Sequence, residues 1–255
     1  MKDKKILILG GTGFVGSFFK NILDSNNDIT YIGRSTQISY KIGQPISDKI
    51  KELVALSDIV IFASWNFHLI KKNYLKVHLN SVVEFLELCS DVNTSFLFVS
   101  TQLANKNSKS LYNKTKYLCE LECRKFNESC IRLGVLLSNI NEKGNIYLKL
   151  SNLQSIFGYK LMLKPNNKKF KITNSENVKL FFENFSYTSS NEYNQNTSYE
   201  LYSLTEVLDM FFAEPQKYIF IDWRFAFYYL KVLKFLRIPS RLNLDSLISI
   251  WGENL

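Results

Sequence analysis

The chain has 255 residues, 46% of them hydrophobic, and a formal net charge of +9. That is enough apolar material for a substantial buried core, and with no low-complexity tract or repeat period it excludes a disordered or solenoid chain. The positive balance favours anionic partners such as phosphorylated small molecules, while its scatter into short runs such as Lys168–Lys169, without zinc-finger spacing, excludes nucleic acid as the expected partner.

KKILIL (4–9) reads as a buried strand, and its apolar run, Ile6–Leu9, stops too soon for a signal peptide. A glycine loop and a helix through about Leu23 follow. DITYIG (28–33) is a second strand, 47–56 a helical segment and DIVIFAS (58–64) a third strand. A long helix is predicted over about 67–90, with Leu75, Leu79, Val82, Val83, Leu86 and Cys89 at helical spacing. SFLFVST (95–101) is a strand, 111–127 a helix and SCIRLGVLL (129–137) a further strand. Continuous apolar strands alternating with helices imply a parallel sheet covered on both faces. The expected fold is α/β: a Rossmann-like doubly wound parallel sheet over 1–137, then a small, mainly helical substrate-binding region over 138–255, partly interleaved with it. Helices are predicted there at 146–157, 175–185, 204–213, 222–236 and 244–251.

Cys89, Cys119, Cys123 and Cys130 are read as buried, reduced thiols; Cys119 and Cys123 have the spacing of one helix face rather than of a CxxC metal knuckle, and no metal site is expected. The best candidate for a membrane segment is YIFIDWRFAFYYLKVLKFL (218–236). Asp222, Arg224, Lys231 and Lys234 interrupt it, so no transmembrane segment is expected. It is read as a helix packed on the protein's own core, with a membrane-surface helix as the alternative. A cytoplasmic protein is expected.

Residues 10–16, GGTGFVG, follow a strand and open a helix. Early glycines permit a tight turn and close approach to a pyrophosphate, the helix N-terminus supplies amide donors, and the last glycine lets helix and sheet pack closely. Gly10, Thr12, Gly13, Phe14, Val15 and Gly16 are therefore candidate dinucleotide-binding residues. NAD-binding units usually end their second strand on an acid. Here it ends Gly33–Arg34–Ser35. A guanidinium beside a hydroxyl suits a 2′-phosphate, so NADP(H) is the preferred cofactor, with NAD(H) as the alternative.

The strand at 95–101 ends Val99–Ser100–Thr101, and Tyr112 and Lys116 follow on the next helix. Of the 14 tyrosines, only Tyr112 has a lysine four residues on. Strand ends and the helices after them line the ligand crevice of such sheets, so a hydroxyl, a phenol and an ammonium can meet there.

GGTGFVG (10–16), NSVVEFLELC (80–89), FLFVST (96–101), YNKTKYLCE (112–120) and IRLGVLL (131–137) together resemble the short-chain dehydrogenase/reductase superfamily. The resemblance is strongest to its extended branch, the NAD-dependent epimerase/dehydratase family that acts on sugar nucleotides. It implies that Tyr112 is the general acid/base, that Lys116 holds the nicotinamide ribose and lowers the phenol pKa, and that Thr101, with Ser100 as its alternative, bonds the reacting oxygen. It makes Asn80 part of a proton relay, against the plainer reading of a helix-surface amide. Ala63 and Ser64 follow the strand that passes the cofactor, and a homodimer through the long helices is implied. Gln102 and Leu103 stand where the family's dehydratases carry acids, which disfavours dehydration. The expected activity is reduction of a nucleotide-linked 4-keto(-6-deoxy) sugar in surface polysaccharide biosynthesis. The alternatives are a sugar-nucleotide 4-epimerase with tightly bound NAD and a non-catalytic NADP-binding regulatory protein.

Overall fold

A strand covered by helices on both faces has no polar side to present, and the apolar strands of this chain form such a centre. A computed structural model describes residues 1–67, 69, 71–136, 155–156, 159–163, 169–185, 194–196, 200–203, 206 and 218–235. The strands are β1 (Lys5–Leu9), β2 (Asp28–Ile32), β3 (Ile59–Phe62), β4 (Ser95–Thr101), β5 (Ser129–Leu133), β6 (Val135–Leu136), β7 (Ser155–Ile156), β8 (Tyr159–Leu163), β9 (Phe170–Thr173), β10 (Asn194–Asn196), β11 (Glu200–Tyr202) and β12 (Tyr218–Ile221). The main sheet has the order β2-β1-β3-β4-β5-β10, with every pair parallel.

The helices are α1 (Phe14–Leu23), α2 (Asp48–Ala55), α3 (Lys71–Asp91), α4 (Leu111–Lys125), α5 (Ser175–Asn184) and α6 (Trp223–Phe235). Side chains alternate across each strand, so the sheet divides into two apolar faces. Leu7, Leu9, Val60, Phe62, Phe96 and Phe98 pack with α2, α3 and α4. Ile6, Ile8, Ile59, Ile61, Leu97 and Val99 pack with α1 and α5. The Phe19 and Phe182 rings meet edge to face at 5.5 Å. All four cysteines are free and buried. Asn93 and Asn127 take positive φ, 56° and 58°, just past α3 and α4, as asparagine does when it ends a helix.

A bidentate ion pair braces α4 on the sheet. Arg132 on β5 donates from Nε to Glu120 Oε1 at 2.8 Å and from Nη2 to Oε2 at 2.5 Å. The Glu120 side chain is only 2% exposed.

Several boundaries differ from expectation. The strand predicted over 129–137 breaks at Gly134, whose amide donates to Thr173 Oγ1 at 2.9 Å, and β6 joins β9 in a second sheet. The long helix begins at Lys71 rather than 67, because residues 63–67 form a loop fastened to it. Between β2 and α2 the chain makes an isolated Gly33–Ser39 bridge. Among the described residues beyond 138, β7–β12 accompany α5 and α6. Ser155–Ile156 are strand, not the end of a helix; the rest of 146–157, 244–251, and 204–213 except Glu206 lie outside the described residues. The helix expected at 222–236 forms, but only part of it is packed as predicted: Leu230 is buried while Phe225, Tyr228, Tyr229 and Val232 are exposed. No helix among the described residues is long and apolar enough to cross a membrane.

Removing one partner of a buried ion pair strands the other charge. Glu120→Ala is expected to lower unfolding stability by about 3 kcal/mol, measured by urea denaturation. Glu120→Leu combined with Arg132→Met is expected to recover most of that loss.

Candidate active site

β1 and its neighbours make the site by how they end. From β1 the chain crosses to β2 on one side, then returns to β3 on the other, so a crevice opens between the carboxyl ends of β1 and β3. Gly10 turns there with φ +87°. A Cβ on it would stand 2.7 Å from both Cα and N of Ser64. The loop after β1 therefore lies on the backbone that leaves β3, and only glycine fits. The Gly10 and Gly11 amides both donate to Ile32 O, at 2.7 and 3.1 Å. A Cβ on Gly16 would come within 2.6 Å of Gly11 Cα, so α1 sits directly on this loop. Gly13 opens α1 with no side-chain cap, and the Ser17 hydroxyl donates back to Gly13 O at 2.5 Å. An uncapped helix N-terminus offers amide donors and a favourable dipole to an anion. Thr12 and Gly13 are exposed; Phe14 and Val15 are half-buried.

At the end of β2 lies an open hollow of about 490 Å³, lined by Thr12, Tyr31, Ser35, Thr36, Gln37, Ile38 and Leu53 among others, with no acid in its lining. Thr36 shapes it: its hydroxyl accepts from the Gly33 amide at 2.9 Å and donates to Ile38 O at 2.6 Å. Arg34 and Ser35 are exposed.

At the end of β3, the Ala63 amide donates to Leu9 O at 2.9 Å, and an aromatic cluster begins two residues later. Trp65 stacks on His78 with ring centroids 4.0 Å apart, donates from its indole N–H to the Tyr74 hydroxyl at 2.7 Å, and meets Tyr112 edge-on at 5.5 Å. Phe67 also packs on Tyr112 at 5.5 Å. His78 is wholly buried. Its Nε2 accepts from the Asn66 amide at 3.2 Å and its Nδ1 lies 2.7 Å from Tyr74 O. The neutral tautomer with a proton on Nδ1 satisfies both contacts. Burial agrees, lowering the pKa to about 4, with a smaller push from Lys116.

Lys116 is buried, and its Nζ donates to Val99 O at 2.6 Å. The same nitrogen lies 3.9 Å from the Trp65 ring centroid, 4.6 Å from that of Phe98 and 5.9 Å from that of Tyr112. Burial lowers its pKa to about 7. Burial also pushes the Tyr112 phenol well above its ordinary value, with a smaller contribution from Tyr74. The expected lowering by Lys116 is absent here. The reason is physical: an ammonium that is itself partly discharged, and bonded to a carbonyl, stabilises a phenolate poorly.

The structure brings Lys116 onto β4 two residues before Thr101, with Tyr112 one helical turn earlier on α4. Thr101 is half-buried, its hydroxyl accepting from the Leu103 amide at 3.3 Å. Ser100 Oγ and Gln102 Nε2 are buried without a hydrogen-bond partner. Asn80 is exposed on α3, outside the inward row of Tyr74, His78, Ser81, Val82 and Phe85. Trp65, Tyr74 and His78 were not predicted as site residues. Their only sequence signal is an aromatic run beginning just after a strand end, inside a segment that reads as helix.

A buried ammonium opposes folding. The native state disfavours protonated Lys116, so this burden is full below about pH 7 and fades as pH rises toward the ordinary lysine value. Lys116→Met is expected to raise the thermal midpoint, most below pH 7 and least near pH 10, measured by calorimetry across pH, while removing the site's ammonium.

No family model matches the chain, and no curated protein matches it by sequence. Solved structures do match it. ADP-L-glycero-D-manno-heptose-6-epimerase from Helicobacter pylori superposes with TM-score 0.68 at 13% identity, over 87% of this chain and 86% of its own. UDP-glucuronic acid 4-epimerase from Bacillus cereus, in complex with UDP-glucuronic acid and NAD, gives 0.65 at 14% identity over 97% and 98%. dTDP-4-dehydrorhamnose reductase from Bacillus anthracis, in complex with NADP, gives 0.65 at 11% identity over 99% and 100%. These are sugar-nucleotide enzymes of the extended short-chain dehydrogenase/reductase type. This chain has their Rossmann-like fold.

Proposed function

We propose that this protein is an NADPH-dependent reductase of a nucleotide-linked 4-keto sugar, including the 4-keto-6-deoxy sugars of surface polysaccharide biosynthesis. On this reading residues 1–137 bind the dinucleotide, 138–255 the sugar nucleotide, and the protein works in the cytoplasm as a homodimer. The observation that carries the cofactor choice is the end of β2: Arg34 and Ser35 are exposed beside a hollow without an acid. An exposed guanidinium and hydroxyl can hold a 2′-phosphate. The uncapped start of α1, with Thr12 and Gly13 exposed before it, suits a pyrophosphate.

NADPH, when bound, supplies the hydride. Tyr112 gives its proton to the alkoxide that forms at the former ketone. A phenol kept protonated by burial is in the form that reduction needs, whereas oxidation of an alcohol needs phenolate. Thr101 orients the reacting oxygen. Lys116 would hold the ribose hydroxyls of the bound dinucleotide. Gln102 supplies no carboxylate, so a reductase is favoured over a dehydratase.

A second reading is a 4-epimerase that keeps NAD bound through alternate oxidation and reduction. It is supported by the likeness to UDP-N-acetylglucosamine 4-epimerases and to the NAD-bound UDP-glucuronic acid 4-epimerase. NAD retained through purification would favour it.

Arg34→Ala is expected to weaken NADPH binding by roughly 10- to 100-fold, the worth of a charge-assisted bond, with NADH binding unchanged, as read by titration calorimetry. Equal wild-type affinity for NADPH and NADH would remove the basis of the reductase reading. Tyr112→Phe is expected to lower kcat by about 10²- to 10⁴-fold with NADPH affinity retained. Undiminished turnover in that variant would overturn the catalytic assignment.

A further inference from the structure

α6 carries a surface that the proposed chemistry leaves unused. Phe225, Tyr228, Tyr229 and Val232 are 73%, 65%, 62% and 54% exposed. Their spacing of i, i+3, i+4 and i+7 puts them within about 100° of one helical arc. Leu230, on another side of the helix, is the buried anchor. Ile219 and Phe220 on β12, the strand before the helix, are each 42% exposed. Exposed Tyr31, Leu56 or Leu180 stand on separate elements and need no such account.

The charges beside this arc choose the partner. Arg224 and Lys231 are both exposed and lie along one edge of it. Lys231 Nζ sits 4.7 Å from the Phe227 ring centroid and 6.0 Å from that of Tyr228, so the ammonium rides over the aromatic surface. Arg224 reaches Asp222 at 3.4 Å, with their side chains 70% and 37% exposed. An exposed pair of this kind is weak and separates readily. Between 218 and 241 the sequence holds Arg224, Lys231, Lys234, Arg237 and Arg241 against the single acid Asp222. An apolar, tyrosine-rich arc edged by Arg224 and Lys231, with Asp222 the single acid in 218–241, matches the headgroup region of a bilayer. Aromatic rings settle at that interface, and long basic side chains reach anionic phosphates.

We infer that the Phe225/Tyr228/Tyr229/Val232 face of α6 seats this protein on an anionic lipid surface, lying in its plane without crossing it. The attachment is peripheral and reversible, because one short helix with two exposed cations supplies modest apolar area and little charge. It does not depend on the reading of the active site.

The test is sedimentation of the full chain with vesicles of phosphatidylcholine, alone or containing phosphatidylglycerol. Binding is expected to the anionic vesicles alone and to fall as salt rises. Arg224→Ala with Lys231→Ala is expected to weaken it roughly 25-fold, about fivefold for each charge. Phe225→Ser with Val232→Ser is expected to abolish it, while NADPH binding and the thermal midpoint are retained. Equal binding to both vesicle types, no binding to either, or binding unchanged in the serine variant would overturn the inference. So would a self-association, seen by sedimentation velocity without lipid, that the serine variant abolishes, since the face would then be an interface between copies of this chain.

Discussion

The Lys116 ammonium ties the candidate site together. It leaves α4, donates to the Val99 carbonyl inside the sheet, and lies beneath the Trp65 indole from the loop after β3. Three separate stretches of chain thus meet on one cation. Each contact replaces part of the water that burial removed, yet the pKa still falls to about 7. An apolar side chain of similar length would fill the space without that desolvation penalty. A buried ammonium of this kind is what makes Lys116 a candidate site residue.

Around that cation the fold supplies rigid supports. The Glu120–Arg132 pair holds α4 to β5, one helical turn beyond Lys116. His78 plays the same part for the loop: buried and neutral, it takes the Asn66 amide, lies within hydrogen-bonding distance of the Tyr74 carbonyl, and underlies Trp65. At the far side of the crevice, Gly10 lets the loop after β1 rest on the backbone leaving β3. The phosphate-fitting loop and the Tyr–Lys helix are consequently positioned by one sheet edge. Their separation is set by strand order and not by any contact between them. Tyr40 and Ile42, from the stretch between β2 and α2, also pack into the core.

Much of this was legible beforehand. Each main-sheet strand through β5 fell within a residue or two of its predicted start, because continuous apolar runs bounded by glycine, asparagine or aspartate admit few other conformations. The GGTGFVG turn and the paired positions Tyr112 and Lys116 were legible for a related reason: their meaning depends on local spacing and on the element just before them. Asn80 shows the limit. Helical spacing could not distinguish its exposed position from that of His78, two residues away and buried. The aromatic cluster was hidden for the same reason. Phe67 reads as the start of a helix and Trp65 lies just before it; the contacts of Trp65 with His78 and Tyr74 come from the first turns of α3.

The sequence by itself determined the parallel α/β core, the glycine turn, the lack of an acid after β2 and the Tyr–Lys pair, since all of these follow from near-neighbour sterics and periodic burial. Tertiary structure alone decided how those groups are charged and covered. Burial pushes the Tyr112 phenol up and the Lys116 ammonium down, and neither shift follows from spacing, because desolvation depends on every chain segment packed against a group. The same holds for α6. Its residues pattern as a helix that could be buried on any side, and only packing settled that Leu230 faces inward while Phe225, Tyr228, Tyr229 and Val232 meet solvent.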